Sequence, residues 1–311
     1  MNVLSCFDGM SCGQIALERA GIRVDNYFAS EIDKYAVQTT QKNYPNTIQL
    51  GDIRNWKFWN LPKIDLLIAG SPCQGFSFAG DQLNFEDPRS KLFFEYVEIL
   101  RFLRNKNPDI KFLLENVKMK KEYQDVISEH LGVEPILINS ELVSAQSRRR
   151  LYWTNIPNII QPKDKKLLLK DVLETEVDKK YFYSEKAISY LDRAKINKRF
   201  AMYSDNEKSV CLTANFTKAL PYNVYVDREK SYCITATYMN RACICYNKGQ
   251  GQIVFHNNSI RRLTPTECEK LQTVPINYTN GVSNSQRYKM LGNGWTVDVV
   301  AHIFSFLPKY A

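Results

Sequence analysis

The sequence predicts an α/β protein built on a mostly parallel sheet, with a smaller, mainly β second domain. Three observations carry this. Through the first 160 residues, short apolar runs alternate with stretches of helical spacing. Runs without polar alternation suit strands buried on both faces, as in a parallel sheet covered by helices. Beyond residue 160 the composition turns to Tyr, Asn, Thr and Lys with short β-like pieces. Charge concentrates there too: residues 151–260 hold 17 Lys and Arg against 11 Asp and Glu, a net of +6 out of the chain's +9.

The first strand is expected over Asn2–Phe7. It runs into the turn Asp8-Gly9-Met10-Ser11-Cys12-Gly13, and a helix over Gln14–Ala20 follows, stopped by Gly21. Further strands are expected at Tyr27–Ile32, Thr47–Leu50 and Ile64–Ala69. Arg89–Arg104 has the spacing of an amphipathic helix, and Ile110–Leu114, Val133–Asn139 and Leu151–Thr154 complete the sheet. In the second domain Asn223–Val226 and Gln252–Phe255 read as strands. Two similar segments, Cys211-Leu212-Thr213-Ala214 and Cys233-Ile234-Thr235-Ala236, lie 22 residues apart, too few copies for a repeat array. Helical spacing returns at Thr264–Gln272 and Thr296–Leu307.

Across all 311 residues, 44% are hydrophobic and 24% charged, an ordinary balance that excludes a mainly disordered chain. No apolar run reaches the roughly 18–20 residues of a membrane span. The start, MNVLSCFDGM, has no basic region before an apolar stretch, so a soluble, cytoplasmic protein is expected. The net charge of +9 suits a polyanionic partner. The 8 cysteines are too sparse for a disulfide scaffold and lack paired C-x-x-C spacing. Cys243 and Cys245 form a lone C-x-C, and His130, His256 and His302 are scattered, so no metal is expected. The thiols are expected to be reduced, with one a candidate nucleophile.

Ligands of an open parallel sheet sit at the carboxyl ends of its strands, and the unusual residues fall there. The first strand leads into Gly9 and Gly13, where backbone can approach a ligand near a helix start. The pattern is not G-x-G-x-x-G, which argues against a pyrophosphate clamp. Glu31 follows the second strand at the place where an acid holds ribose hydroxyls. Asp52 follows the third and can accept from an adenine amino group. The three together point to an adenosine-containing ligand without a phosphate clamp, hence S-adenosylmethionine. The fourth strand leads into Gly70-Ser71-Pro72-Cys73-Gln74-Gly75-Phe76-Ser77. A cysteine fixed by a preceding proline at the mouth of a buried strand is a candidate nucleophile. The fifth leads into Glu115-Asn116-Val117, a carboxyl group that burial would keep protonated as a general acid. Gln146-Ser147-Arg148-Arg149-Arg150 then precedes another strand.

With these residues in order, the sequence resembles the cytosine-C5 DNA methyltransferases. FDGMSCG resembles their first cofactor motif, with Glu31 and Asp52 as the second and third. GSPCQGFS resembles the catalytic loop, ENV the glutamate motif and QSRRR the Q-x-R-x-R motif. RRLTPTECEKLQTVP (261–275) resembles the ninth motif and QRYKMLGNG (286–294) the tenth. One departure stands out: Gly292-Asn293-Gly294-Trp295 occupies the place of the usual G-N-S-V, and its tryptophan is similar to the animal de novo branch.

The resemblance implies a Rossmann-like S-adenosylmethionine-dependent catalytic domain over 1–180 and 283–311, and a small target-recognition domain over 181–282. It makes Cys73 the nucleophile at cytosine C6 and Glu115 the group at the N3 edge, with Arg150 and Arg148 binding the base and its surroundings. It makes Phe7, Gly9, Gly13, Glu31, Ile32, Asp52, Ile53, Pro72 and Asn293 cofactor residues, with S-adenosylhomocysteine as product. Gln74, Ser77, Thr213, Thr235, Asn240 and Arg241 are the expected DNA contacts, and the Gly75–Asp87 loop is expected to close over the flipped base. The expected partner is double-stranded DNA, with a cognate restriction enzyme as companion or none; a monomer from a bacterium or phage is expected. The motifs fit an RNA-modifying relative of the same family as well, but the recognition segment lacks the Cys-Phe-Thr tripeptide of that branch. A silent DNA-binding relative would have lost Pro-Cys or Glu-Asn-Val, and both stand.

Overall fold

Val3, Leu4, Ser5 and Cys6 of the first strand, β1 (Asn2–Cys6), are all buried, which requires a central place in a sheet covered on both faces. The structure, a computed structural model, describes residues 1–71, 88–182, 202–203, 223–225, 252–256 and 259–308. β1 pairs in parallel with β2 (Asn26–Ser30) on one side and β4 (Leu66–Gly70) on the other. β3 (Ile48–Gln49) extends the first side; β5 (Lys111–Val117), β7 (Arg149–Thr154) and β6 (Ile136–Asn139) extend the second. The seven-strand order is β3-β2-β1-β4-β5-β7-β6. β7 alone runs antiparallel to its neighbours β5 and β6. Its link from β6, residues 140–148, is too short for the crossover that a parallel pair needs.

The helices are α1 (Cys12–Arg19), α2 (Lys34–Asn43), α3 (Pro88–Lys106), α4 (Lys121–Leu131), α5 (Pro265–Leu271), α6 (Asn284–Asn293) and α7 (Val297–Phe304). Gly21, at φ 70, ends α1 as expected: its N–H reaches Glu18 O from a left-handed conformation that costs other residues strain. α3 presents Phe93, Tyr96, Val97, Leu100 and Leu103 at helical spacing, and they join Leu4, Leu67, Phe112, Leu114 and Trp153 of the sheet in one core. The sequence reading placed no helix at α4, and none at α2 or α6. The buried positions are Ala36, Thr39 and Thr40 in α2, and Arg287, Tyr288, Met290, Leu291 and Gly292 in α6. Small and polar buried residues hide a helical period. None of the described helices is long and apolar enough to cross a membrane.

The chain divides into two compact units. The first comprises Met1–Asn139, Arg149–Pro162 and Val297–Ala311, and holds the seven-stranded sheet with α1–α4 and α7. The second comprises Ser140–Arg148 and Lys163–Thr296, with α5, α6 and a four-stranded sheet. Its strands β8 (Met202–Tyr203), β9 (Asn223–Tyr225), β10 (Gln252–His256) and β11 (Ser259–Arg262) lie in the order β11-β10-β9-β8, with only the β10–β11 pair antiparallel.

A buried ion pair organises the second unit. Thr264 caps α5 and Pro265 fills its first turn; Glu267 closes the capping box by accepting from Thr264 N. The same carboxylate takes Arg261 Nη1 and Nη2 at 2.8 and 2.7 Å and Glu174 N at 2.8 Å, with Arg261 and Glu267 both 0% exposed. Removing one partner leaves the other charge buried and uncompensated. Glu267→Gln is therefore expected to lower unfolding free energy by about 3–5 kcal/mol, and the Arg261→Met/Glu267→Leu double variant to recover most of it. Denaturant unfolding of the three proteins checks this.

Candidate active site

β1 opens into a loop in which Phe7, Gly9 and Ser11 all have positive φ, at 57, 59 and 60°. For Phe7 and Ser11 this conformation costs roughly 1–2 kcal/mol each, so neighbours must hold it. Asp8 N donates to Ser30 O and Ser11 N to Asp8 O. The Asp8 carboxylate accepts from Tyr27 OH at 2.7 Å and Ser11 Oγ at 2.5 Å. Burial pushes this carboxyl up to about 6, against the pull of the Ser11, Ser5 and Tyr27 hydroxyls, and the Glu31 charge adds to the rise. Asp8 and Tyr27 were not singled out in the sequence; an acid within FDGMSCG was the available signal.

Glu31 stands at the end of β2 and ties the same loop down. Its Oε2 accepts from Gly9 N at 2.8 Å, and its Oε1 from Ile32 N and Asp33 N at 2.7 and 2.8 Å. Three of the carboxylate's roughly four acceptor positions hold backbone, which fixes its orientation. Beside it Ile32 is 75% exposed, a large apolar side chain facing solvent at a strand end. A Cβ added to Gly9 would meet nothing within 4 Å, so the loop borders open space. Asp52 caps the turn Ile53–Phe58 through Arg54 N at 3.0 Å and pairs with the Arg54 guanidinium through both oxygens. That hydrogen-bonded guanidinium holds the Asp52 carboxyl below its ordinary value. The expectation for Asp52 did not include this partner. Ile53 is buried in the core and Phe7 packs half-buried on it, while Gly13 is buried in the first turn of α1.

Glu115 lies within β5, one strand over, opposite Gly70 of β4 and Tyr152 of β7. The strand continues through Val117, three residues past the expected end. Arg150 Nε meets Glu115 Oε1 at 2.9 Å, with both side chains largely buried. The expectation for Glu115 rested on burial and did not include this cationic partner. Asn116 is buried, and its Nδ2 donates to the Ser71 hydroxyl at 3.0 Å, pinning the residue that follows β4.

The Q-x-R-x-R motif falls on both sides of the unit boundary, with Arg150 on β7 and Gln146 and Arg148 in the second unit. Arg148 Nη2 donates to Gly292 O at 3.1 Å and Gly294 O at 3.0 Å. Gln146 Nε2 reaches Leu271 O and Gln272 Oε1, both at 3.1 Å. Gln272 Nε2 donates in turn to Leu291 O and Gly294 O, and its Oε1 accepts from Thr296 Oγ1 at 2.9 Å. These groups bracket Asn293 and the buried Trp295. Gln146 and Gln272 were legible only as letters within motifs.

Pro72, Cys73, Gln74, Ser77, Thr213, Thr235, Asn240, Arg241 and the Gly75–Asp87 loop lie outside the described residues. Among the described cysteines, Cys6, Cys12 and Cys268 are buried and in no disulfide. Burial raises the Cys6 and Cys268 thiols far above their ordinary value, so neither is a source of thiolate.

The first unit is thus a doubly wound sheet with acids after β2 and β3 and a strained glycine-containing loop after β1. Solved structures share its fold: the Entamoeba histolytica methyltransferase EhMeth (TM-score 0.71, 21% identity, 99% of this chain and 97% of that one) and Spodoptera frugiperda DNMT2 (0.69, 23%, 98% and 99%). This is a methyltransferase fold. Among curated proteins, the type II methyltransferase M.NlaX of Neisseria lactamica is 31% identical over 97% of this chain and 94% of its own length. The type II methyltransferase M.Bsp6I of Bacillus sp. strain RFL6 is 30% identical over 99% of both. The profile of the C-5 cytosine-specific DNA methylases matches residues 1–309, and the chain belongs to that family.

The folded pKa of Asp8, about 6, stands above the ordinary 3.8, so the folded state holds this proton more tightly. Asp8 therefore costs stability as pH rises from about 4 to about 6, and nothing further above that. Asp8→Asn keeps the hydroxyl contacts by rotation and removes the titration. The Tm of the variant minus that of the parent is expected to grow between pH 4 and 6 and then level off, as thermal unfolding across that range will show.

Proposed function

We propose that the chain transfers a methyl group from S-adenosylmethionine to C5 of a flipped-out cytosine in duplex DNA, through a covalent bond between Cys73 and C6. Family membership supports the reaction class. The observation that carries the residue roles is the Glu115–Arg150 pair, held on β5 directly opposite Gly70, the last residue of β4. Only Ser71 and Pro72 separate Gly70 from Cys73 in the chain.

Cytosine C5 is too weak a nucleophile to take a methyl group directly. Addition of the Cys73 thiolate at C6 makes C5 enamine-like, provided that charge developing at N3 is met by a proton. Glu115 holds that proton in the proposed scheme; Arg150 anchors Oε1 and the second oxygen serves the base. Loss of the C5 proton then expels the thiolate and restores the ring. When bound, S-adenosylmethionine supplies the electrophilic methyl group. The described residues fit it: the open space beside Gly9, the oriented Glu31 carboxylate for ribose hydroxyls and the exposed Ile32 for an apolar ring face. Phe7, Gly13, Asp52, Ile53, Pro72 and Asn293 complete the proposed cofactor set. Residues 181–282, with Thr213, Thr235, Asn240 and Arg241, are the proposed reader of DNA sequence, and Gln74 and Ser77 contact the strand near the flipped base.

Cys73→Ser is expected to abolish methyl transfer while duplex binding persists, because a hydroxyl is a far poorer nucleophile of similar size. DNA carrying 5-fluorocytosine should trap an adduct of the parent enzyme at Cys73 that survives denaturation, since fluorine cannot leave as a proton does. Turnover of the serine variant within about tenfold of the parent, or no adduct from an active preparation, overturns the covalent scheme. For the recognition role, exchanging residues 181–282 with those of a family member of different specificity should change which cytosines bisulfite sequencing finds methylated. An active hybrid that keeps the parent's sites places recognition elsewhere.

A further inference from the structure

We infer that Arg148 is a positioning residue for the Gly292–Trp295 turn, and that its guanidinium serves the cofactor side of the reaction by fixing that turn, not by binding the base. This rests on the reading above that Asn293 contacts the cofactor. Arg148 is 5% exposed, and both N–H groups of Nη2 are spent on the carbonyls of Gly292 and Gly294. Those carbonyls flank Asn293. They belong to the end of α6, where the last C=O groups of a helix have no partner within it and must find one outside.

The arrangement is a clamp with two arms. A cation donating to peptide carbonyls makes charge-assisted hydrogen bonds, roughly twice as strong as neutral ones. The second arm is the buried amide chain in which Gln146 donates to Gln272, and Gln272 donates to Leu291 O and Gly294 O while accepting from Thr296. Gly294 O therefore receives from both arms. The φ of Gly294 is −66°, an ordinary value, so backbone freedom is not what this glycine provides. The turn holds its shape through bonds made to it. Arg150, two residues on in the same motif, pairs with the carboxyl assigned to the base. The spacing of two residues puts the pair in one motif, yet their partners differ.

The test uses Arg148→Met, which keeps length and removes the donors, and Arg148→Lys, which restores a cation. Cofactor affinity is measured by equilibrium binding of S-adenosylmethionine without DNA. The state of the turn is read from Trp295 emission, isolated as the difference from matched Trp295→Phe proteins. Arg148→Met is expected to weaken cofactor binding by about tenfold or more and to shift Trp295 emission, with Arg148→Lys recovering part of both. Adduct formation with 5-fluorocytosine DNA at saturating cofactor is expected to fall by less than about threefold. Parental emission and parental cofactor affinity, with slow adduct formation, overturn the inference and return Arg148 to the base. Shifted emission with parental cofactor affinity upholds the clamp but overturns its service to the cofactor. Asn293→Ala with parental cofactor affinity then locates that failure in the reading of Asn293.

Discussion

Parallel pairing constrains everything assigned to the first unit. Strands that run the same way bring their carboxyl ends to one edge, and the strand order reverses between β1 and β4, the place where open α/β sheets take their ligands. The Phe7–Ser11 loop, Glu31, Asp52 and Ser71 are the residues that follow β1, β2, β3 and β4. None of them is near another in sequence. The sheet is their only common element, and its core, built from α3 against β1, β4 and β5, is what holds them in register.

β7 supplies what a purely parallel sheet lacks. Running antiparallel beside β5, it sets Arg150 against Val117 in the ladder and brings its guanidinium back to Glu115, two residues away on the same face. A carboxyl group in a strand interior then has a fixed orientation and an adjacent cation. The cost of burying it is offset by that pairing. Asn116, between Glu115 and Val117, faces the other way and secures Ser71, so one short motif fixes both the acid and the start of the segment bearing Cys73.

Polar networks also carry the Phe7–Ser11 loop and the second unit, where apolar packing carries the sheet. Asp8 and Glu31 hold three positive-φ residues in place; Glu267, Glu269 and Thr264 order α5 and its neighbours, with Arg287 bonded to Glu269 and Thr279. Such networks are directional and fully specified by geometry, which makes them suited to fixing loops and ill suited to being read from hydropathy.

By itself the sequence determined the fold class, the places of the strands β1–β7 along the chain, the helix α3 and the residues at the strand ends, because apolar period and turn chemistry are local properties. The family followed from motifs whose order and spacing are also written along the chain. Only the tertiary structure decided which side chains meet. It paired Glu115 with Arg150, a partner that the sequence reading did not assign, and gave Asp52 to Arg54. It separated Arg148 from Arg150 by turning one toward the carbonyls around Asn293. It also formed α2 and α6 on buried threonines, an arginine and a tyrosine, whose burial depends on partners distant in sequence. Hydrogen-bond partners are set by where the chain returns, and no local pattern encodes that return.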